Sequence, residues 1–198
     1  PLLLRGVVSD AVDDSVNSSG KYLGRLGDGH VLSVGWDGSL IRRSESRRQR
    51  DTYFAGGAPY ALDEDYTADV RRLALYAQDE WDVTPRLQMY AGVRWEGLQT
   101  ATEGRTLSEV RTRASVWSPV AQLLWKPPQQ ERDQLRLALA RTYKAPTTRN
   151  LVPRRYTINN GNSANHPDFQ GNPELLPELA WGLDAAWESY FGKSGVAS

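Results

Sequence analysis

The chain has no cysteine in its 198 residues, which rules out disulfides and thiolate metal sites. No apolar run approaches the ~18 to 20 residues that a membrane helix needs, and a mean hydropathy of -0.58 agrees, so a helical span is excluded. An excess of one charge sign is missing too. The 24 Lys+Arg balance the 24 Asp+Glu, and nothing in that balance points to a nucleic-acid partner. The two histidines, His30 and His166, stand far apart with no ligand spacing around either, so His30 reads as structural and His166 as a surface residue. No nucleophile elbow, phosphate-binding glycine loop or Ser/His/Asp constellation occurs. The expectation is therefore no catalytic residue, no enzyme, no resident metal and no cofactor. Pro1 to Gly6 are apolar for too few positions to be a signal peptide, and Phe191 to Ser198 read as a turn entering another strand, so both ends are expected to be cut from a longer protein.

A low mean hydropathy does not exclude strands that cross a membrane. Such a strand needs only ~9 to 11 residues, and only every second one must be apolar. Alternation of that kind recurs along the chain. In residues 30–42, Leu32, Val34, Trp36 and Leu40 oppose Ser33, Asp37 and Ser39. In 71–83, Leu73, Leu75, Ala77, Trp81 and Val83 oppose Arg72, Tyr76, Gln78, Glu80 and Asp82, with Asp79 out of phase and suggesting a bulge. Residues 87–96, 117–126, 134–144 and 178–191 repeat the design, and a further strand is expected near 17–26, joined to the next by Gly27-Asp28-Gly29. Connections are expected to alternate between short turns (82–86, 126–133, 192–195) and long polar loops at 44–70, 100–116 and 145–177. Short turns on one rim and long loops on the other is the arrangement of outer-membrane barrels.

All seven tryptophans fall on the apolar phase, Trp36 and Trp187 included. Trp81, Trp95, Trp117, Trp125 and Trp181, with Phe191, read as aromatics at a membrane boundary, where an indole keeps its body in hydrocarbon and its N–H in the headgroups. Trp117 and Trp125 are separated by roughly 26 Å of strand, or about 20 Å along the membrane normal after a ~40° tilt, close to the ~25 Å apolar band of such barrels. The opposite phase carries Arg94, Glu96, Arg136, Lys144, Asp184 and Glu188, which read as lumen-facing.

Specific segments also match. Ala74-Leu75-Tyr76-Ala77-Gln78-Asp79-Glu80-Trp81-Asp82-Val83-Thr84-Pro85-Arg86-Leu87, followed by Ala91-Gly92-Val93-Arg94-Trp95-Glu96, resembles a strand-turn-strand signature of TonB-dependent outer-membrane receptors. Arg141-Thr142-Tyr143-Lys144-Ala145-Pro146-Thr147 resembles that family's strand-to-loop element, and Gly171-Asn172-Pro173-Glu174-Leu175-Leu176-Pro177-Glu178 its re-entry segment. The resemblance spans residues 74–190 and is less distinct before 70. It implies an all-β fold: an antiparallel up-and-down meander forming an open, curved section of a transmembrane barrel of about 22 strands around a plug. Residues 1–198 would be a partial barrel domain, with the plug and the N- and C-terminal strands elsewhere.

The resemblance further implies import of a ferric siderophore across the Gram-negative outer membrane. The transported chelate is then cargo, and coupling to TonB–ExbB–ExbD runs through the plug region. Outer-membrane lipid and lipopolysaccharide are the other expected partners, with no nucleic acid. Ligand-facing loop candidates are Arg154, Arg155, Tyr156, Asn159, Asn160 and Asn162, which mix guanidinium, phenol and amide groups. Arg42, Arg43, Arg47 and Arg48, with Arg50, form a candidate basic rim that would attract an anionic chelate or lipopolysaccharide phosphates. Asp63-Glu64-Asp65 lacks the spacing of a calcium loop and reads as an acidic turn. Two other readings stay open: a complete outer-membrane barrel of about eight strands, adhesin-like or enzymatic, and a soluble β-rich carbohydrate-binding module whose tryptophans stack on sugars.

Overall fold

The computed structural model describes residues 3–54, 58–128, 132–156, 163–191 and 195–197. In chain order its elements are β1 (Leu3–Leu26), β2 (His30–Tyr53), β3 (Tyr60–Thr84), β4 (Leu87–Gly104), β5 (Leu107–Trp125), β6 (Gln134–Lys144), α1 (Thr148–Leu151), β7 (Arg155–Tyr156), β8 (Phe169–Gln170), β9 (Glu178–Phe191) and β10 (Gly195–Ala197). Eight of them make one antiparallel sheet in the order β1-β2-β3-β4-β5-β6-β9-β10. Each strand therefore pairs with its neighbour in sequence, and the β7-β8 ribbon is set aside within the connection from β6 to β9. The fold is the expected all-β meander. Among the described residues the sheet stays open, with β1 and β10 as its edges, so these eight strands do not close on themselves as a small complete barrel would.

The hairpins follow from local chemistry. Gly27 and Gly29 adopt φ of 64° and 83°, a left-handed conformation that lets β1 turn into β2 through three residues. Thr84-Pro85-Arg86 turns β3 into β4, with the Thr84 hydroxyl accepting from the Arg86 N–H at 3.2 Å. Register shifts occur at Asp82/Thr84 and at Thr102/Gly104, beside the turns. Asp79 is not bulged. It sits in register between Leu32 and Ala91 on the apolar phase, where its carboxylate accepts from Nδ1–H of His30 at 2.7 Å. His30 in turn stacks on Trp81, with ring centroids 5.5 Å apart. Two residues that break the pattern in sequence thus satisfy one another beneath an indole.

The long loops expected at 44–70 and 100–116 are instead mostly strand: β2 runs to Tyr53, β3 starts at Tyr60, β4 reaches Gly104 and β5 starts at Leu107. Asp63-Glu64-Asp65 accordingly lies in β3 and is not a turn. Apolar alternation marks a strand only where one face is apolar. In the β2 extension both faces are polar, while those of β3 and β4 keep Tyr66, Ala68, Val70 and Leu98 on one face, and cross-strand charge pairs contribute to the pairing: Arg43 with Asp13, Arg48 with Asp63 at 3.8 Å, Arg105 with Asp63 at 3.4 Å and with Asp65. The strand of residues 17–26 likewise extends back to Leu3. A 24-residue strand such as β2 spans ~80 Å, well over twice the ~25 Å apolar band of a membrane barrel.

The connection from β6 to β9 is the one long excursion that remains. It turns onto one face of the sheet, where Leu151 packs with Val70 and Leu98, and Val152 with Tyr66 and Ala68. Both Leu151 and Val152 are fully buried. The covered face is called the inner face below.

Candidate functional site

Side chains alternate along each strand, and the register extends each face from strand to strand. On the inner face lie Asp37, Arg43, Glu45, Arg47, Gln49 and Asp51 of β2, Arg72 and Tyr76 of β3, and Arg94 and Glu96 of β4. Arg136 and Lys144 of β6, with Asp184 and Glu188 of β9, follow in the same register. The six residues expected to face a lumen thus share one face. They form local groups. Arg94 reaches Asp37 at 2.7 Å and Glu96 at 3.3 Å, with its guanidinium 5.9 Å from the Tyr76 ring. Glu188 faces Arg136 at 3.4 Å and accepts from Tyr190 at 2.8 Å and from Gln134. Lys144 pairs with Glu178 at 3.4 Å.

Toward the end of β2 the inner face becomes a ladder of polar side chains that pattern reading does not find. Arg43 holds Asp13 and Glu45, the latter at 2.6 Å. Arg47 donates to Gln49 at 2.7 Å, Gln49 to Asp51 at 3.0 Å, and Arg5 to Asp51 at 2.7 Å. The hydrogen-bonded Arg5 guanidinium holds the Asp51 carboxyl below its ordinary range. Glu45, 3 % exposed, also accepts from Arg154 at 3.1 Å and so ties the folded-in connection to β2.

That connection is itself built from two of the family-like segments. After Lys144-Ala145-Pro146 the chain makes α1, and Asn150 O accepts from the N–H of Asn172 at 2.7 Å. The Asn172 side chain caps the next turn by accepting from the Glu174 N–H at 2.9 Å. Gly171 makes this approach possible, because a Cβ there would overlap the Val152 carbonyl and lie 2.8 Å from Asn150 O. Gly171→Ala is expected to destabilise the docked connection by about 1–3 kcal/mol. Faster amide exchange confined to 145–177 would show it, and exchange unchanged there would contradict the contact.

The other sequence candidates separate. Arg42 and Arg48 project from the face opposite to Arg43 and Arg47, so the arginine run does not form one basic surface. Of the loop candidates, Arg154 sits on Glu45. Arg155 and Tyr156 form β7, paired with Gln170 and Phe169, while Asn159, Asn160 and Asn162 lie outside the described residues. His166 is exposed and bridges back to Ser163. Among the described residues no group of three or more His, Cys, Asp or Glu could hold a metal ion. Among the described residues no helix is long and apolar enough to cross a membrane.

The outer face carries every tryptophan. Trp36, Trp95 and Trp117 share one row of the register, with Leu75 between Trp36 and Trp95, and Trp95 lies directly opposite Trp117. Trp125 and Trp187 share a second row with Leu87 and Leu135, eight residues lower on β4 and β5. Trp181 lies one step inside the first row and Trp81 one step inside the second, and Phe191 lies beyond the second. Between the rows the outer face reads Leu32, Val34, Ala77, Val93, Ala91, Ala121, Leu139 and Leu183, interrupted by the His30–Asp79 pair and Arg141. Arg141 lies under the Trp181 ring at 5.9 Å and donates to the Trp117 carbonyl at 3.2 Å. Leu183 is 77 % exposed and Trp181 62 %. Such a band in open solvent marks a surface built to be covered.

Comparison with known proteins agrees with this geometry. A family model described as TonB dependent receptor-like, beta-barrel matches residues 5–198. No curated protein matches the chain. Among solved structures, the ferric yersiniabactin uptake receptor FyuA from Yersinia pestis is similar at a TM-score of 0.58 and 13% identity, over 96% of this chain and 28% of that one. The siderophore receptor PiuA from Acinetobacter baumannii gives 0.51 and 14%, over 94% and 30%. The ferric citrate transporter FecA in its unliganded form gives 0.51 and 13%, over 72% and 22%. The likeness is one of fold, and the chain spans less than a third of the length of each of these structures.

Proposed function

Because the chain belongs to the TonB dependent receptor-like β-barrel family, we propose that it is a section of the wall of a Gram-negative outer-membrane transporter that imports a ferric siderophore. The observation that carries this reading is the division of one sheet into two surfaces. One face has aromatic rows eight residues apart enclosing an apolar band, and the other has paired charges in nearly every strand. Two rows at that spacing suit the hydrocarbon thickness of the membrane, with indole N–H groups at both boundaries. The charged face then lines a wet interior.

In that interior, Arg94 paired with Glu96, Arg136 with Glu188 and Lys144 with Glu178 offer charges along the ligand's path, with Asp184 on the same face. The connection docks on that face through Leu151, Val152 and Arg154, and the same connection carries Arg155, Tyr156, Asn159, Asn160 and Asn162 in sequence. Its mixture of guanidinium, phenol and amide groups suits a polar, anionic chelate, whose donor atoms are carboxylates, catecholates or hydroxamates. Energy coupling to TonB–ExbB–ExbD would run through a plug held by other parts of the full-length protein. The chemistry asked of this chain is recognition and passage, without bond making, so it acts as no enzyme.

Deleting the gene is expected to abolish uptake of one iron-loaded siderophore under iron limitation, with the full-length protein fractionating with outer membranes. Uptake of labelled iron with a panel of chelators measures the first, and sucrose-gradient fractionation the second. Full-length protein recovered from the cytosol, or unchanged uptake across the panel, would sink the reading.

A further inference from the structure

On the inner face the cations of β2 to β6 are nearly all occupied. Arg43 holds Asp13 and Glu45, Arg47 donates to Gln49, Arg136 faces Glu188 and Lys144 pairs with Glu178. Arg94 is committed three ways, to Asp37 at 2.7 Å, to Glu96 at 3.3 Å and over the Tyr76 ring. Arg72 differs. It is half-buried, its Nε is shut off from solvent with no hydrogen-bond partner, and among the described residues it makes no ion pair. The two carboxylates diagonal to it on the neighbouring strands, Asp37 and Glu96, are the ones that Arg94 holds.

Arg72 stands between Ser39 of β2 and Leu98 of β4, three residues above Leu75 of the upper tryptophan row, or about 10 Å along the strand. Leu98 packs with Val70 and Leu151, and Ala145 and Leu175 join them, so the docked connection closes this part of the interior on the side away from the apolar band. β6 is paired with β5 only as far as Ala140. Beyond it the chain swings over the inner face, and the Tyr143 phenol comes within electrostatic range of Glu96, Arg72 and Arg94. Its Oη is buried without a partner, and so is Oγ of Ser118, which lies opposite Arg94. Folded proteins rarely leave such groups unpaired, because each has given up its water for nothing. An acceptor carried in by a ligand would satisfy them. Arg72 and Arg94 against Asp37 and Glu96 sum to zero, so the site exerts no net pull on a polyanion at a distance. What it offers is local: one open guanidinium fork and a phenol O–H near it.

We propose that Arg72 and Tyr143 seat a free carboxylate of the iron chelate, and so select chelates that keep one over tris-catecholates and neutral hydroxamates. A carboxylate matches the fork with two parallel acceptors and has lone pairs left for the phenol. An iron tris-catecholate is a trianion and calls for several unpaired cations, whereas among the described residues of β2 to β6 this face has Arg72 alone. A ferric trihydroxamate is neutral and would leave the guanidinium without a charged acceptor. The proposal narrows the transporter reading to one class of chelate and rests on it.

The test measures uptake of radiolabelled iron by cells producing the full-length receptor. Ferric citrate and ferric rhizoferrin are the probes that keep free carboxylates, ferric enterobactin is the catecholate and ferrichrome the neutral hydroxamate. Wild type is expected to favour a carboxylate probe over the other two classes by about tenfold or more. R72Q should raise the half-saturating concentration of that probe about tenfold or more with the maximal rate kept, R72K should recover part of the loss, and Y143F should raise it about threefold. R71Q removes the same charge from the opposite face of the same strand and should change nothing. Import of the enterobactin or ferrichrome complex alone, a half-saturating concentration that R72Q does not move, or an equal loss in R71Q would each overturn the carboxylate site and leave the transporter reading standing. Import of none of the probes removes both. Heat-modifiable gel mobility checks that the variants fold; if R72Q does not, R72K and Y143F decide.

Discussion

Leu183→Arg is expected to destabilise the full-length protein in a bilayer by about 2–4 kcal/mol, the cost of an arginine at the midplane of a barrel's lipid face. Leu183 lies in the row of Leu139, Ala121 and Ala91, two outer-face steps from the lower tryptophan row, with Trp181 one step to its other side. It is therefore where water is scarcest. Ala138→Arg is the matched control: Ala138 pairs with Asp184 on the inner face of the adjacent strand. An arginine there would meet an opposite charge, worth about 0.2–1 kcal/mol across a strand pair, and its net effect should stay within about 0.5 kcal/mol. Denaturant titration of the protein folded into lipid vesicles measures both. Equal costs at the two positions would mean that the two faces meet the same solvent, and the membrane reading would fall with that result.

Leu151→Asp combined with Val152→Asp is expected to release the connection between β6 and β9 while leaving the sheet intact. Both side chains are fully buried, against Val70 and Leu98 in one case and Tyr66 and Ala68 in the other. Losing a buried aliphatic side chain costs about 2–5 kcal/mol, and an unpaired carboxylate in its place costs more. Polar ties to the sheet such as Arg154 to Glu45 and the Thr112 hydroxyl to the Pro173 carbonyl, each worth about 0.5–3 kcal/mol, are expected not to hold the segment without the two aliphatic side chains. Trypsin should then cut after Arg149 and Arg154 many times faster than in wild type, with the heat-modifiable mobility of the barrel retained. If the cleavage rate does not change, the segment is not held on the inner face by these two side chains. Under the transporter reading the same variant should also bind its chelate more weakly, because the mixed polar groups of the connection would no longer be presented over the interior.

The two variants probe features that differed in how legible they were. The membrane-facing surface is a matter of parity. Once Leu87, Met89, Ala91, Val93 and Trp95 alternate with Gln88, Tyr90, Arg94 and Glu96, their separation onto two faces needs no knowledge of neighbours. The inward connection gives no such sign. Leu151 and Val152 are two apolar residues in a polar stretch, and their partners lie in β3 and β4; Arg154 and Glu45 are 109 residues apart. Asp79 illustrates a middle case. Its misfit in the apolar phase is visible in sequence, but its resolution by His30, 49 residues away, depends on the pairing of β2 with β3.

The extended ends of β2 to β5 were hidden for another reason. Hydrophobic alternation reports the contrast between two environments, and beyond the tryptophan row the outer face turns polar as well, so the contrast fades except at Tyr66, Ala68, Val70 and Leu98 beneath the docked connection, although the hydrogen-bonded ladder continues. What remains is complementarity between strands, Arg43 with Asp13 or Arg48 with Asp63, and that cannot be recognised until the register is known. The arginine run from Arg42 to Arg50 is a direct consequence. Contiguous in sequence, it is dealt alternately to the two faces.

By itself, then, the sequence determined that the chain is a meander of two-faced strands, with indoles on one side and charges on the other, because a strand's side-chain period of two is local and independent of partners. Only the tertiary structure decided which residues stand level with one another, how far the strands run and what lies across the inner face. Register, cross-strand charge pairing and docking are contacts between segments tens of residues apart, and their energies are set by geometry that no local pattern contains.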